Sequence, residues 1–330
     1  MSDKVSLVIP LYNEELYIDN LVDSLLLQTY PKTDMEFLFV DGGSSDRTLE
    51  ILKQKQIDYP NLIKILYNPN RTTPYALNIG IEASKGKYIL ILGAHSEFPN
   101  DYVEKNINSL IKTGADNVGG LAYTKGKGEN AKTIAKLLSS KFGVGNSQFR
   151  TKGESGYVDT VPFGAFPRET FEKYGLFDTR LTRNQDNELN YRIRKNGGKL
   201  YLDSDIHFFY YCRNTLKGLL QMGLNNGKWN VITMKLVPGS MGVRHFIPFV
   251  FLLSLIIMPI LSVFFRPMLY LFIAELVLYF ILDILFSVKA SENPKEFLKL
   301  LAMYPLFHLS YGFGSLTGIL NLHKFKNRND

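Results

Sequence analysis

Hydrophobic positions in the first third of the chain come in short runs separated by amphipathic stretches. Val5 to Pro10 is a β-rich apolar run closed by proline, and from Glu14 to Leu27 the residues Leu16, Ile18, Leu21, Val22, Leu25 and Leu26 recur at helical spacing. Gln28-Thr-Tyr-Pro31 stops that helix. Phe37 to Val40 reads as a second strand, Gly42-Gly-Ser-Ser as a turn, and Asp46 to Gln54 as a helix with Asp46 near its N-cap. Leu62 to Tyr67 is a third strand, Pro74 to Ser84 a helix, Tyr88 to Leu92 a fourth strand and Asp101 to Lys112 a further helix. Strands alternating with helices at these separations predict βαβ units and a mostly parallel sheet.

The pattern then changes twice. Gly119 to Gly156 is rich in Lys, Gly, Ser and Asn, with a helical patch from Thr133 to Leu138, and reads as a mobile region over the site. Beyond a boundary at Pro238 to Arg244 come three hydrophobic stretches, His245 to Phe265, Met268 to Val288 and Phe297 to Leu320. The first two are long enough to cross a bilayer, which takes about 20 apolar residues per helix, and Arg266-Pro267 between them implies a tight hairpin. The third carries Pro305, His308 and Gly312, Gly314 and Gly318, and either crosses or enters and returns. Lys289, Lys295 and Lys299 favour the cytoplasmic side after two crossings; Lys324, Lys326 and Arg328 favour that side too, against a full third crossing. Glu275 and Asp283 would be costly against lipid and should face protein, headgroups or water. A buried helical subdomain is the alternative for the whole region.

Length and charge narrow the partners. At 330 residues the chain exceeds one average domain. Its net charge of +7 comes without zinc spacing, a helix-turn-helix pattern or an RNA-binding aromatic motif, so nucleic acid is not expected. Membrane lipid fits better, because anionic headgroups attract Lys and Arg beside hydrophobic segments. A single cysteine, Cys212, excludes an intrachain disulfide and a thiolate metal cluster. The start, Met1-Ser-Asp-Lys-Val-Ser, lacks a signal-peptide layout, which places the catalytic part in the cytoplasm as an expectation.

Candidate chemistry sits where apolar runs end. Val8-Ile-Pro-Leu-Tyr-Asn-Glu14 and Phe39-Val-Asp-Gly-Gly-Ser-Ser-Asp46 each close a strand with an acid-bearing loop. One acid at such a place is most often a cap or a solvated turn. Two at successive strand ends are how an open α/β sheet presents ligand groups.

Together with Asn68-Pro-Asn-Arg71 and Leu92-Gly-Ala-His-Ser-Glu97, this order resembles the inverting glycosyltransferases of family 2, nucleotide-sugar enzymes with a GT-A fold. The resemblance covers roughly Val5 to Leu202 and implies an α/β, Rossmann-like GT-A catalytic domain, set at residues 1–212; composition and hydrophobic runs add an amphipathic interface over 213–244, two or three transmembrane helices over 245–322 and a basic tail over 323–330. It places Pro10, Tyr12, Glu14, Asp41, Arg71, Asn78, Ala94 and His95 around the donor. Tyr12 would lie against the base, Glu14 near the nucleoside, and Asp41 would accept from the base. Arg71 would meet the diphosphate, whose oxygens suit a guanidinium, and Asn78 would line the pocket. The family usually carries Asp-x-Asp at the fourth strand to hold Mn²⁺ or Mg²⁺, hard cations that favour oxygen ligands. Here Gly93 replaces the first Asp and His95 the second; a succinoglycan-type subgroup has Asp-Ala-His. Three readings stay open for His95: it ligates the metal with Glu97 or diphosphate oxygens, it touches phosphate without a metal, or the site is degenerate.

Val161-Pro-Phe-Gly-Ala-Phe-Pro-Arg168, Phe171 to Asp178 and Asn184-Gln-Asp-Asn-Glu188 resemble the family's acceptor side. Gly164, Gln185 and Trp229 are its candidates. Asp186 matches the catalytic base, with an N-cap role as the bland alternative, while Gln185 replaces the family's Glu and Glu188 reads as a first-turn helix acid. Gln221 and Lys228-Trp229 depart in spacing from the motif of processive synthases. The implied activity is transfer of a sugar from a nucleotide diphosphate donor, UDP-linked, to a polyprenyl-linked saccharide in capsular or extracellular polysaccharide synthesis. The implied location is the cytoplasmic face of the cell membrane, with several membrane passes. The alternatives are a polyprenyl-phosphate hexosyltransferase and an inactive donor-binding scaffold.

Overall fold

The computed structural model describes residues 3–151 and 153–325; Lys326 and Arg328 of the expected basic tail lie outside the described residues. The chain divides into two compact units, Met1–Tyr123 with Lys152–Tyr210, and Thr124–Thr151 with Tyr211–Asp330.

In the first unit, β1 (Val5–Leu11), β2 (Met35–Asp41), β3 (Ile63–Tyr67) and β4 (Tyr88–Ile91) run parallel in the order β3-β2-β1-β4. They are joined by α1 (Ile18–Leu26), α2 (Thr48–Asp58) and α3 (Thr73–Ala83). Leu7, Val8 and Ile9 of β1 and Phe37 to Val40 of β2 are fully buried, because helices cover both faces of a parallel sheet and leave no polar alternation. Pro10 stays inside β1, opposite Val40. It is tolerated because β1 pairs with β4 only from Val5 to Val8, so the missing N–H is not needed on that side.

Beyond β4 the sheet turns antiparallel, which corrects the mostly parallel expectation. After β5 (Ser96–Glu97) and α4 (Tyr102–Thr113) come β6 (Asn117–Lys125), α5 (Glu129–Leu138), α6 (Lys141–Val144) and β7 (Gly156–Tyr157). β8 (Ala165–Pro167), α7 (Arg168–Tyr174), α8 (Gln185–Lys195) and β9 (Leu200–Tyr211) follow. The sheet continues β4-β8-β6-β9-β5, with β8 antiparallel to β4 and β6, and with β5 and β7 antiparallel to β9. The region expected to be mobile thus starts with a sheet strand. Its glycines are packing residues: a Cβ on Gly119 would stand 2.6 Å from Val161 Cβ, and one on Gly120 2.4 Å from the Ile206 carbonyl oxygen.

The second unit contains α5, α6 and four long helices, α9 (Leu216–Leu236), α10 (Ile247–Phe264), α11 (Arg266–Ala290) and α12 (Pro294–Leu320). Two segments, Val243–Phe264 and Arg266–Ala290, are long and apolar enough to span a bilayer, and only 6% and 11% of their most apolar windows are buried. A soluble core helix would be mostly buried, so these two do not form a buried subdomain. α12 differs. It is one uninterrupted helix through Pro305, without the internal return its prolines and glycines allowed, and it hides Leu300, Met303, Tyr304 and Phe307. The acids of α11 find protein groups: Ser254 Oγ donates to Glu275 Oε1 at 2.7 Å, and Asp283 is fully buried beside Ser287 Oγ at 3.2 Å.

Candidate active site

The carboxyl ends of β1, β2, β3 and β4 lie on one edge of the sheet, and the loops leaving them are bonded to each other. Asn13, in the left-handed region at φ 55°, receives at its Oδ1 the N–H of Ser45 (2.8 Å), and its own N–H donates to Ser44 Oγ (2.9 Å). The Glu14 N–H donates to Thr48 Oγ1 (2.8 Å) and the Glu15 N–H to Asp46 Oδ2 (3.1 Å). Asp46 Oδ1 also accepts the Thr48 N–H at 3.0 Å, one residue ahead of Arg47, which holds the N-cap position of α2. Burial opposes ionisation of Asp46, but the Thr48 and Glu15 donors outweigh it and hold the carboxyl below its usual range. The first two loops therefore form one preset rim.

Asp41 is 1% exposed. Its carboxylate accepts the Gly43 N–H (2.9 Å), the Ser44 N–H (3.1 Å) and the Ser44 hydroxyl (2.5 Å). Both oxygens of Asp41, the expected acceptor from the base, are engaged in its own turn. Arg71 lies across that turn. Its backbone is left-handed at φ 59°, fixed by its N–H on the Asn68 carbonyl (3.3 Å). Arg71 Nε stands 3.9 Å from where a Cβ on Gly43 would be. The residue is exposed, and its guanidinium has no ion-pair partner among the described residues.

At the end of β4, Ala94 is buried and His95 is partly exposed. His95 Nδ1 lies 3.3 Å from Glu14 Oε1, and its ring meets Tyr210 edge-on at 4.9 Å. Glu14 thus contacts the imidazole that was expected to serve the metal. Tyr12 is 46% exposed on the same rim. Asn78, expected to line the donor pocket, is held by its amide: its Nδ2 donates to the Phe177 carbonyl (2.9 Å) and its Oδ1 accepts the Phe177 N–H (3.0 Å). That clamp uses one donor and one acceptor site of the amide to hold the chain between α7 and α8.

On the expected acceptor side, Gly164 has φ +96°, and a Cβ there would stand 2.3 Å from Asn117 Oδ1; its carbonyl accepts the Ile91 N–H at 2.9 Å. Asn184, left-handed at φ 62°, is the cap residue of α8, which opens with Gln185 and Asp186. Asp186 Oδ1 accepts the Asn187 N–H at 2.9 Å. Glu188 is buried and paired with Arg192, whose guanidinium also donates to the Leu176 carbonyl at 2.9 Å, so it is a structural acid. Asp178 stays below its usual range: burial works against the charge, but the Arg180 guanidinium at 2.6 Å prevails. Trp229 lies on α9 in the second unit, its ring against Phe325 at 5.7 Å.

The described residues with positive φ other than glycine are Asn13, Arg71, Phe163 and Asn184. Each sits in a segment carrying a candidate site residue, and strain of this kind persists only where surroundings impose it. Phe163 was not singled out from the sequence; the available signal was its place directly before Gly164.

Residues 6–175 match Glycosyl transferase family 2. The chain belongs to that family. This glycosyltransferase is 32% identical over 260 residues to a dolichyl N-acetyl-α-D-glucosaminyl phosphate 3-β-D-2,3-diacetamido-2,3-dideoxy-β-D-glucuronosyltransferase of Methanococcus voltae, covering 76% of this chain and 80% of that one. It is 29% identical to the succinoglycan biosynthesis protein ExoA of Rhizobium meliloti, covering 73% of each. Among solved structures, a mannosyltransferase from Pyrobaculum calidifontis in complex with GDP-Man and Mn²⁺ aligns with TM-score 0.61 at 17% identity, over 98% of this chain and 88% of that one. At that identity the likeness shows the fold, a GT-A domain.

Proposed function

We propose that this glycosyltransferase moves a sugar, with inversion, from a UDP-linked donor to a lipid-linked saccharide at the cytoplasmic membrane face. The observation that carries the reading is the bonded rim of strand-end loops that places Glu14, Arg71 and His95 on one sheet edge beside the Asp41 turn. Tyr12, exposed there, offers a face for the base. The exposed Arg71 guanidinium, without an ion-pair partner among the described residues, suits the diphosphate. Asp186 is the base that takes the acceptor hydroxyl proton as its oxygen bonds to the anomeric carbon; the bond to the diphosphate breaks, and the nucleotide leaves with that electron pair. Gln185 and Gly164 shape the acceptor side, with Trp229 as an anchor at the membrane boundary.

Among the described residues no three of His, Cys, Asp and Glu converge on one metal site. His95, with Glu14 against its Nδ1, fits a divalent cation that would draw its other ligands from diphosphate oxygens and water. Such a cation would offset the charge developing on the leaving diphosphate. The lipid-linked acceptor is supported by the Methanococcus voltae relative, named for its action on a dolichyl-phosphate-linked saccharide, and membrane passage by the two exposed apolar helices.

Calorimetric titration of the detergent-solubilised chain with UDP, GDP and CDP, in Mn²⁺ and in EDTA, tests the reading. Selective UDP binding supports it. Failure to bind any of the three would put a scaffold role first. The product's mass then separates a lipid-linked oligosaccharide from a polyprenyl monosaccharide phosphate.

A further inference from the structure

Phe163 combines a strained backbone with a ring placed at the strand-end edge. Its φ of 56° lies in the left-handed region, which a bulky side chain rarely adopts. β8 runs antiparallel to β4, with Ala165 opposite Leu90, and the Gly164 carbonyl accepts the Ile91 N–H. Phe163 therefore stands just past the carboxyl end of β4, beside the turn that carries His95. Its ring takes the space where residue 93 would have a side chain: a Cβ on Gly93 would stand 2.3 Å from Phe163 Cζ and 2.8 Å from Cε1. Gly93 is not among the residues of positive φ, so glycine is needed there for room and not for conformation.

The surroundings are not those of an ordinary core. Phe163 is half-buried, with one side on Phe208 at 4.8 Å between centroids. Ser96 Oγ lies 3.2 Å from the same Cβ position on Gly93, and it is buried without a hydrogen-bond partner among the described residues. Cores rarely leave a hydroxyl unpaired; sites completed by a ligand do. An aromatic ring beside a few polar groups is the usual lining of a small-molecule site, and the apolar C–H face of a ribose or a pyranose is what such a ring receives.

Resting on the nucleotide-sugar reading above, we propose that Phe163 is a donor-binding residue whose ring, seated beside Gly93, packs against the C–H face of a sugar ring of the donor. Gly93 makes that placement possible.

The test uses the full chain in detergent, with UDP and UDP-glucose titrated into wild type, Phe163→Leu and Phe163→Ala, and a thermal melt of each. Phe163→Leu keeps apolar volume and removes the ring; it is expected to bind at least about ten-fold more weakly with an unchanged Tm. Loss for both ligands assigns the contact to the ribose, and loss for UDP-glucose alone to the hexose; either supports the proposal. Wild-type binding matched by Phe163→Leu overturns it. Wild type that binds neither ligand overturns the nucleotide-sugar reading instead, and this assignment with it. Gly93→Ala supplies an independent arm: its Cβ displaces the ring, so in wild type it should weaken binding of the same ligand that Phe163→Leu weakens, and have little effect on that ligand in Phe163→Ala. Equal effects in both backgrounds would mean the two residues are uncoupled, which also overturns the proposal.

Discussion

His95 Nδ1 and Glu14 Oε1 are 3.3 Å apart, so the loop after β4 and the loop after β1 meet through one imidazole–carboxylate pair. A carboxylate on one ring nitrogen fixes the tautomer and directs the other nitrogen outward, as outer-shell carboxylates do for metal-binding histidines. His95→Ala is therefore expected to abolish any gain in UDP affinity from Mn²⁺. Glu14→Gln should lower Mn²⁺ affinity by about ten-fold and leave UDP binding in EDTA unchanged. Titrations with and without metal check both. Equal weakening in EDTA would assign Glu14 to the nucleotide directly.

Asp186 is the second residue of α8, two after the left-handed Asn184, and its proposed task needs a carboxylate rather than a hydrogen-bonding amide. Asp186→Asn keeps the shape, including an oxygen for the Asn187 N–H. It should reduce kcat by roughly 10²–10⁴-fold, the usual range for loss of a general base, with UDP affinity retained. Transfer of labelled sugar to a lipid acceptor measures the first and calorimetry the second. Full turnover in Asp186→Asn would remove Asp186 from the reaction.

Asp41 links the site to stability. Its carboxylate gathers the Gly43 and Ser44 donors, and Ser44 Oγ in turn receives the Asn13 N–H, so one acid holds the turn that faces Arg71. Hydrogen bonds to a charged group contribute roughly 1.5–3 kcal/mol. Asp41→Ala should therefore lower Tm and UDP affinity together, whereas Ser44→Ala, which leaves the backbone donors in place, should do less of both. A weakened affinity at wild-type Tm would mean that Asp41 acts on the base itself.

How much could be read beforehand follows from burial and from chain distance. The strands β1, β2 and β4, covered on both faces, leave unbroken apolar runs such as Phe37 to Val40, and the acids that end those runs stand out as exceptions. β6 and β8 leave no such trace. Gly119 and Gly120 imitate a loop although they are glycines for close packing, and β8 is only Ala165–Pro167. The resemblance offered Asn78 as a pocket residue, and nothing local to it reveals the Phe177 peptide that its amide holds. Phe163 is of the same kind: its position makes sense only once Gly93, from a distant part of the chain, is beside it.

Acid stability offers a test away from the site. Glu36 in β2 is 8% exposed; burial opposes its charge, but Lys64 Nζ (2.5 Å), Ser6 Oγ (2.7 Å) and the Lys85 N–H (2.5 Å) outweigh it and hold the carboxyl below its ordinary 4.5. A depressed folded pKa means that the stabilisation is fully present above the unfolded value and is lost as pH falls through the folded one. Tm should thus drop on acidification below about pH 4.5, less steeply in Glu36→Gln, which starts lower at neutral pH. Parallel acid limbs in the two proteins would mean that Glu36 contributes nothing to the pH dependence.

The helix pair α9 and α12 is held by backbone approach, and its glycines are not equivalent. A Cβ on Gly314 would stand 2.1 Å from the Leu224 carbonyl oxygen and one on Gly227 2.0 Å from that of Tyr311. Neither backbone can withdraw without separating the helices, and close approach through small residues is what drives such pairs together next to lipid. At Gly223 the first obstacle is Ser310 Oγ at 2.3 Å, with the Phe307 ring at 3.3 Å, and a hydroxyl can rotate away. Gly314→Ala and Gly227→Ala should each cost about 1–3 kcal/mol, the usual penalty for overpacking, while Gly223→Ala should cost clearly less. Thermal melts in one detergent rank the three; a Gly223→Ala variant as unstable as Gly314→Ala would mean that side-chain packing, and not backbone approach, sets this contact.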